Sequence, residues 1–339
     1  MATLKDLETA IIEADDFKFL DIPVKRKILS PWLTEGSITQ ISGWRGTGKT
    51  WFGLSLFRAV TSGQRFGPWI TETPVSALYV DAEMSAYDVQ DRLRQLPDGN
   101  DSETRETILK IYSDGYASAL GIPRANLLNK SWRETIAGIC QDQGIRLLGL
   151  DNISTLSPGL DENSKQAWDP INQWFLSLRF AGIATVFFHH TNKTGDQRGT
   201  SGREDNLDAS IILQRPSDYA TEQGARFIVR FKKARVRTSE LKLMQEIEFT
   251  LTEIDGKVAW TWRSAAQKTQ GGILSMLDEG VPQSDIARAL GVDRSYVCRM
   301  KAKATEKGWL TKAGKLTTTG LEHVFSLEEN EPEVSQQVC

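Results

Sequence analysis

The chain has 339 residues, 40% of them hydrophobic, and a formal net charge of −3. That length suits one large domain plus a small one, and the near-neutral balance excludes a global basic field, so any nucleic-acid contact must come from local patches. Three scattered cysteines, Cys140, Cys298 and Cys339, exclude a disulfide framework or a cysteine zinc site. No apolar run approaches the ~18 residues of a membrane span, and Met1 to Glu8 carries no signal-peptide pattern; the expectation is a cytoplasmic protein with no membrane partner.

Leu4 to Asp15 sets Leu4, Leu7, Ile11 and Ile12 on one helical stripe. Residues 1–27 therefore read as an arm, packed on its own domain or docked on a neighbouring subunit. Ile28 to Gly36 is a turn-rich lead-in. Ser37 to Ser42 alternates apolar and polar like a strand, and Trp51 to Val60 reads as a helix. Between them lies Gly43-Trp44-Arg45-Gly46-Thr47-Gly48-Lys49-Thr50, which fits G-x-x-x-x-G-K-[ST] in its required setting of strand, glycine loop and helix. Glycines let backbone N–H groups curl around phosphate oxygens. The helix N-terminus adds unsatisfied N–H groups and a positive dipole end. In this pattern Lys49 reaches the β- and γ-phosphates and Thr50 ligates Mg²⁺. The expected cofactors are ATP and Mg²⁺, with Gly43, Arg45, Gly46, Thr47, Gly48, Lys49, Thr50 and Trp51 at the nucleotide.

Strand and helix signals alternate onward to about residue 214. Val75 to Val80 is a strand, Ala86 to Leu96 an amphipathic helix and Arg146 to Leu150 a buried strand. A polar loop, Asp161 to Asp169, precedes a helix from Trp168 to Phe180, and Ile183 to Phe188 is a further buried strand. Such alternation predicts an α/β fold, a mostly parallel sheet with helices on both faces. Phe227 to Phe231, Ile247 to Leu251 and Val258 to Trp262 look like antiparallel edge strands.

Ligands in such sheets sit at the carboxyl ends of the strands, and three strand ends carry chemistry. Asp151 closes Leu147-Leu148-Gly149-Leu150, the Walker B pattern, and serves the Mg²⁺ shell. The next residue is Asn152, which cannot take a proton, so the base must come from elsewhere. Glu83, after Tyr79-Val80-Asp81-Ala82, is the candidate, with Asp81 as the alternative. His189 and His190 end the third strand; no Cys or third His sits near them at metal-ligand spacing. Adjacent strand residues point oppositely, so one faces the site: His190 is the choice, as a γ-phosphate sensor or a structural histidine.

Ser264 to Gly272 is small and polar, a plausible linker. Residues 268–315 hold nine Lys or Arg against five acids, a net of +4. Gln283 to Met300 has helix–turn–helix spacing: Ser284 and Asp293 are candidate caps, Gly291 permits the turn, and Ala287, Gly291 and Val297 resemble the helix–turn–helix signature. Ile273, Leu274 and Leu277 supply a preceding helix and Gly308 to Thr317 a small hairpin, making a winged helix. Its second helix exposes Arg294, Ser295, Arg299 and Lys303 beside Tyr296, suited to a DNA major groove or, alternatively, to a protein partner. From Glu322 the tail is acidic and reads as disordered. The boundaries expected are 1–27, 28–265, 266–325 and 326–339.

The ordered set of Gly43 to Thr50, Glu83, Asp151 and His190 resembles the RecA-like ATPases, and within them the hexameric helicases of the plasmid RepA and DnaB type, over about residues 28–250. That resemblance implies that Glu83 activates water and that His190 couples γ-phosphate to a DNA-contacting loop. It implies completion of the site by a neighbouring subunit, for which Lys233 and Arg235 form a K-x-R pattern on a late strand; a solvated basic edge strand is the plain alternative. Two loops would face a ring pore: Ser157 to Asp169, and Thr191 to Asn206 with Lys193, Arg198 and Arg203. The implied protein is a homo-oligomeric, hexameric motor on DNA, a RepA-like replicative helicase. The alternatives are an ATP-switched DNA-binding regulator and a RecA-like signalling or defence ATPase whose winged helix binds protein.

Overall fold

A computed structural model describes residues 3–97, 107–161, 164–191, 206–328 and 333–334. The N-terminal arm holds α1 (Leu4–Ala10) and α2 (Ala14–Phe17), with no buried residue in either. The expected single helix to Asp15 is broken at Ile11, whose backbone is extended. Helices this short depend on packing for stability, and the stripe packs on none of the described residues closely enough to be buried: Leu4 and Ile11 are 74% and 78% exposed.

The core begins with β1 (Lys27–Ser30) and β2 (Leu33–Thr34), which form a small sheet with β4 (Ile70–Thr71). The main elements follow as β3 (Ile38–Gly43), α3 (Lys49–Ser62), β5 (Ala77–Asp81), α4 (Ala86–Gln95), β6 (Leu109–Ser113), α5 (Asp114–Ala119), α6 (Lys130–Asp142) and β7 (Leu147–Asp151). Next come α7 (Ile153–Leu156), α8 (Lys165–Phe180), β8 (Ala184–His190), β9 (Ala209–Gln214), β10 (Arg226–Ala234), β11 (Ile247–Ile254) and β12 (Lys257–Ser264). They build a ten-stranded sheet in the order β13-β12-β11-β10-β9-β3-β8-β7-β5-β6, where β13 is Glu333–Val334. The run from β9 to β6 is parallel and the rest antiparallel. This is the α/β architecture that the alternation predicts, with its edge strands where expected.

The strands are apolar enough to be buried on both faces. On one face Phe52 of α3 meets Phe66, Trp69, Phe227, Phe249 and Trp260, an aromatic cluster with centroids 4.9–6.4 Å from the Phe52 ring. On the other, Trp168, Ile171 and Phe175 of α8 pack with Leu148, Leu150 and Phe187. The loop expected to run to Asp169 stops earlier. Ser164 caps α8 through the N–H of Ala167, and burial of Trp168 holds that first turn.

Residues 264–272 are no linker. β12 ends at Ser264, which caps α9 (Ala265–Asp278) directly, because buried Ala265, Gly271 and Ile273 give this polar stretch an inward side. The boundary expected after residue 265 thus falls at a helix start, without slack. α9 packs with α10 (Gln283–Leu290), α11 (Arg294–Glu306) and α12 (Thr318–Glu328) around a third core of Ile273, Leu274, Ile286, Val297, Ala304, Leu310 and Val324. Pro282, not Ser284, is the residue before α10; Gly291 ends it with φ +65°, and Asp293 caps α11. A bridge between Leu310 and Leu316 closes the hairpin. The tail expected to be disordered is helical to Glu328, because Val324 is buried in that core, and Glu333–Val334 pairs with β12.

Candidate nucleotide site

β3 ends at Gly43 and α3 starts at Lys49, so the glycine loop is the turn between a buried strand and a buried helix. Gly48 precedes α3 with φ +105°; a Cβ there would lie 2.6 Å from the Ala225 Cβ, so only glycine fits. The loop is braced by its own hydrogen bonds: the Thr47 hydroxyl donates to the Trp44 carbonyl at 2.6 Å. Arg215, just past β9, donates to the Gly46 carbonyl at 3.0 Å. Arg45 stands exposed, and Trp51 lies under the Arg92 guanidinium at 5.1 Å.

A cleft of about 570 Å³ opens over this loop and brings together Gly46, Gly48, Lys49, Thr50, Trp51, Glu83, Asp151 and His190. Lys49 is folded back: its Nζ donates to the carbonyls of Gly43 and Trp44 at 2.9 and 3.1 Å and lies 3.1 Å from His190 Nδ1. Burial pushes its amine down to about 8. Asp151, 1% exposed at the end of β7, accepts from the Tyr79 hydroxyl at 2.8 Å and is hydrogen-bonded by Thr50. Burial raises its pKa. A buried carboxylate beside a threonine hydroxyl is a hard-oxygen pair that fits Mg²⁺, which keeps water and phosphate oxygens in its other positions.

Glu83 lies just beyond β5, with its side chain half exposed in the cleft. It accepts a short hydrogen bond from Asn152 Nδ2, and its carboxylate is 3.8 Å from His190 Nε2. The adjacent His190 holds it below the usual carboxylate range. Asp81 is placed differently. It is 1% exposed, accepts from the Met84 N–H at 2.9 Å, and does not line the cleft. His190 ends β8 between Lys49 and Asn152, whereas His189 is buried and outside the cleft.

Lys233 and Arg235 do not line this cleft; Arg235 pairs with Asp208 at 3.4 Å near the carboxyl end of β10. Lys193, Arg198 and Arg203 lie outside the described residues. In α11, Arg294, Ser295, Arg299 and Lys303 are exposed, while Tyr296 is half-buried against the third core. Arg299 donates to Ser295 Oγ at 3.1 Å.

Several participants escape sequence reasoning. Leu251, Thr252, Glu253 and Val258 of the β11–β12 hairpin wall the cleft, with Arg92 and Gln95 of α4; nothing in an edge-strand pattern signals that. Asn152 was visible as the residue after Asp151, but the sequence treats it only as a missing acid. Arg215 had no signal.

Compared with protein families, residues 4–196 match the family described as AAA domain. No curated protein matches the chain. Among solved structures, the chain is similar to a KaiC-like protein from the hyperthermophilic archaeon Pyrococcus horikoshii OT3, with 15% identity and a TM-score of 0.47, over 69% of this chain and 97% of that one.

Proposed function

The chain belongs to the AAA domain family, and from that premise we propose that it is a RecA-like P-loop ATPase and a ring-forming motor on DNA, a replicative helicase of the RepA type. The observation that carries the reading is the placement of His190. It touches Lys49 in the phosphate loop and ends the strand that leads directly into Lys193, Arg198 and Arg203. A residue so placed relays the state of the γ-phosphate to a basic segment whose composition suits a phosphate chain.

Bound Mg²⁺ would neutralise charge on the β- and γ-phosphate oxygens. The chain's own groups do the rest. The glycine-loop N–H groups and Lys49 would hold the phosphates, while Thr50 and Asp151 would hold the metal. Glu83 takes the proton of the attacking water as general base, a role worth typically 10²–10⁴-fold. Lys233 and Arg235 of one subunit stabilise the transferring phosphoryl group in its neighbour, which makes hydrolysis depend on assembly. α9 to α12 and the Leu310–Leu316 hairpin serve as a winged helix on duplex DNA, with the basic face of α11 toward the groove.

One observation favours a second reading, an ATP-switched DNA-binding regulator. The segment after β9 joins the phosphate loop to the C-terminal helices. Arg215 holds the Gly46 carbonyl, a Cβ on Gly291 between α10 and α11 would meet the Ser217 side chain at 3.5 Å, and Asp218 pairs with Lys268 of α9.

Steady-state ATP hydrolysis with single-stranded DNA, with duplex and with neither separates these. Strong stimulation by single strands supports the motor. Duplex binding that depends on ATP and survives Glu83→Gln supports the regulator. No response to either DNA leaves the signalling ATPase with a protein-binding C-terminal module.

A further inference from the structure

Asn152 has an unusually determined orientation. Its Oδ1 accepts from the Thr155 backbone N–H at 3.1 Å and from the Thr155 hydroxyl at 3.3 Å. A backbone N–H can only donate, so the oxygen of Asn152 is fixed on that side and the amide nitrogen on the other. That nitrogen has two hydrogens and two neighbours: it donates to Glu83 Oε2 and lies 3.2 Å from His190 Nε2. The Asn152 side chain is therefore held by α7 and spans the ends of β5, β7 and β8.

A neutral imidazole has one acceptor nitrogen. His190 faces two donors, Asn152 at Nε2 and Lys49 at Nδ1, at 3.2 and 3.1 Å; the Glu83 carboxylate, which would accept a proton from Nε2, lies farther off at 3.8 Å. Both donors cannot be satisfied at once. Lys49 is the mobile one, because in the phosphate-loop pattern its amine belongs on the phosphates. We propose that Asn152 is a positioning residue that sets the tautomer of His190: with nucleotide bound, Nε2 accepts from Asn152 and Nδ1 carries the proton, aimed at the phosphate that has drawn Lys49 away. Which ring nitrogen carries the proton is decided by the bond the other makes. The residue after Asp151 thus replaces a missing acid with a different task, keeping Glu83 in place as acceptor and making His190 a donor to phosphate.

This inference rests on the ATP-site reading, and the test separates the two. The chain has three histidines, His189, His190 and His323, so ring ¹⁵N spectra resolve them, with His190→Asn as the assignment control. The probe is the full chain with Mg²⁺ and the non-hydrolysable analogue AMP-PNP, its binding followed independently by equilibrium dialysis. The expected spectrum has a protonated Nδ1 and a bare Nε2 on His190. Asn152→Asp keeps the Thr155 bonds but replaces the donor shared by Glu83 and Nε2 with a carboxylate oxygen; with acceptors on that side only, the ring should turn to the Nε2–H form. With analogue affinity kept within about threefold, hydrolysis should fall on the order of 10- to 100-fold, by analogy with loss of the outer partner of a metal-ligating histidine. An Nε2–H or doubly protonated His190 in the wild-type complex overturns the proposal, as does an unchanged tautomer in Asn152→Asp. Absence of AMP-PNP binding overturns the nucleotide reading itself and the proposal with it.

Discussion

Asp81→Asn offers a test of the electrostatics beneath the site. Asp81 is 1% exposed at the end of β5 and sits beside Asp151 in the strand register. Its carboxylate accepts from the backbone N–H groups of Met84 and Glu83, and its Oδ2 is buried without a partner among the described residues. Burial pushes its carboxyl up from 3.8 to about 7. The folded chain therefore keeps this proton to a higher pH than the unfolded chain does. The stability it contributes is fully present below about pH 4 and is lost as pH rises through 7. Each pH unit inside that window costs the folded state about 1.4 kcal/mol, so between pH 5 and 7 the wild type loses roughly 2–3 kcal/mol that the Asp81→Asn variant keeps. Asparagine preserves an oxygen for the Met84 N–H. Urea unfolding followed by tryptophan fluorescence at pH 5, 6 and 7 measures the difference. Parallel loss of stability in both proteins over that range would refute the argument, because the titrating group would then lie elsewhere.

Lys49→Ala should abolish ATP binding by titration calorimetry; retained tight binding would contradict the phosphate-loop assignment. Gly48→Ala forces a side chain onto a φ of +105° and into the Ala225 Cβ at 2.6 Å. The left-handed backbone costs roughly 1–2 kcal/mol and overpacking about 1–3 kcal/mol, so thermal unfolding should fall by several degrees and nucleotide affinity with it. Arg235→Ala should cripple hydrolysis with nucleotide affinity nearly intact. Mixing it with Glu83→Gln subunits should restore activity at hybrid interfaces, and failure of every mixing ratio would return Arg235 to its ion pair with Asp208.

The elements that local rules describe were the legible ones. Strand, glycine loop and helix follow from residue type at fixed spacing, and parity along β8 separates His190, in the cleft, from buried His189. Asp151 and Glu83 were legible because strand ends in a parallel sheet converge on one edge. Errors arose where local polarity competed with packing. Residues 264–272 look like a linker, but α9 buries their few apolar atoms. Residues 4–15 read as a helix packed on its own domain or docked on a neighbour; the structure breaks that helix at Ile11 and leaves Leu4 and Ile11 exposed among the described residues.

The sequence alone determined the alternation of the sheet, the phosphate loop and the identities of the strand-end groups, because each depends on chain neighbours two to eight residues apart. Tertiary structure decided what those groups do to one another. Asp81 and Glu83 differ by two positions, yet one is sealed beside Met84 and the other opens into the cleft under Asn152. The β11–β12 wall and the Arg215 brace come from residues more than 160 positions beyond the loop they serve. Such contacts depend on how the sheet orders its strands, and no local pattern encodes a distance across the fold.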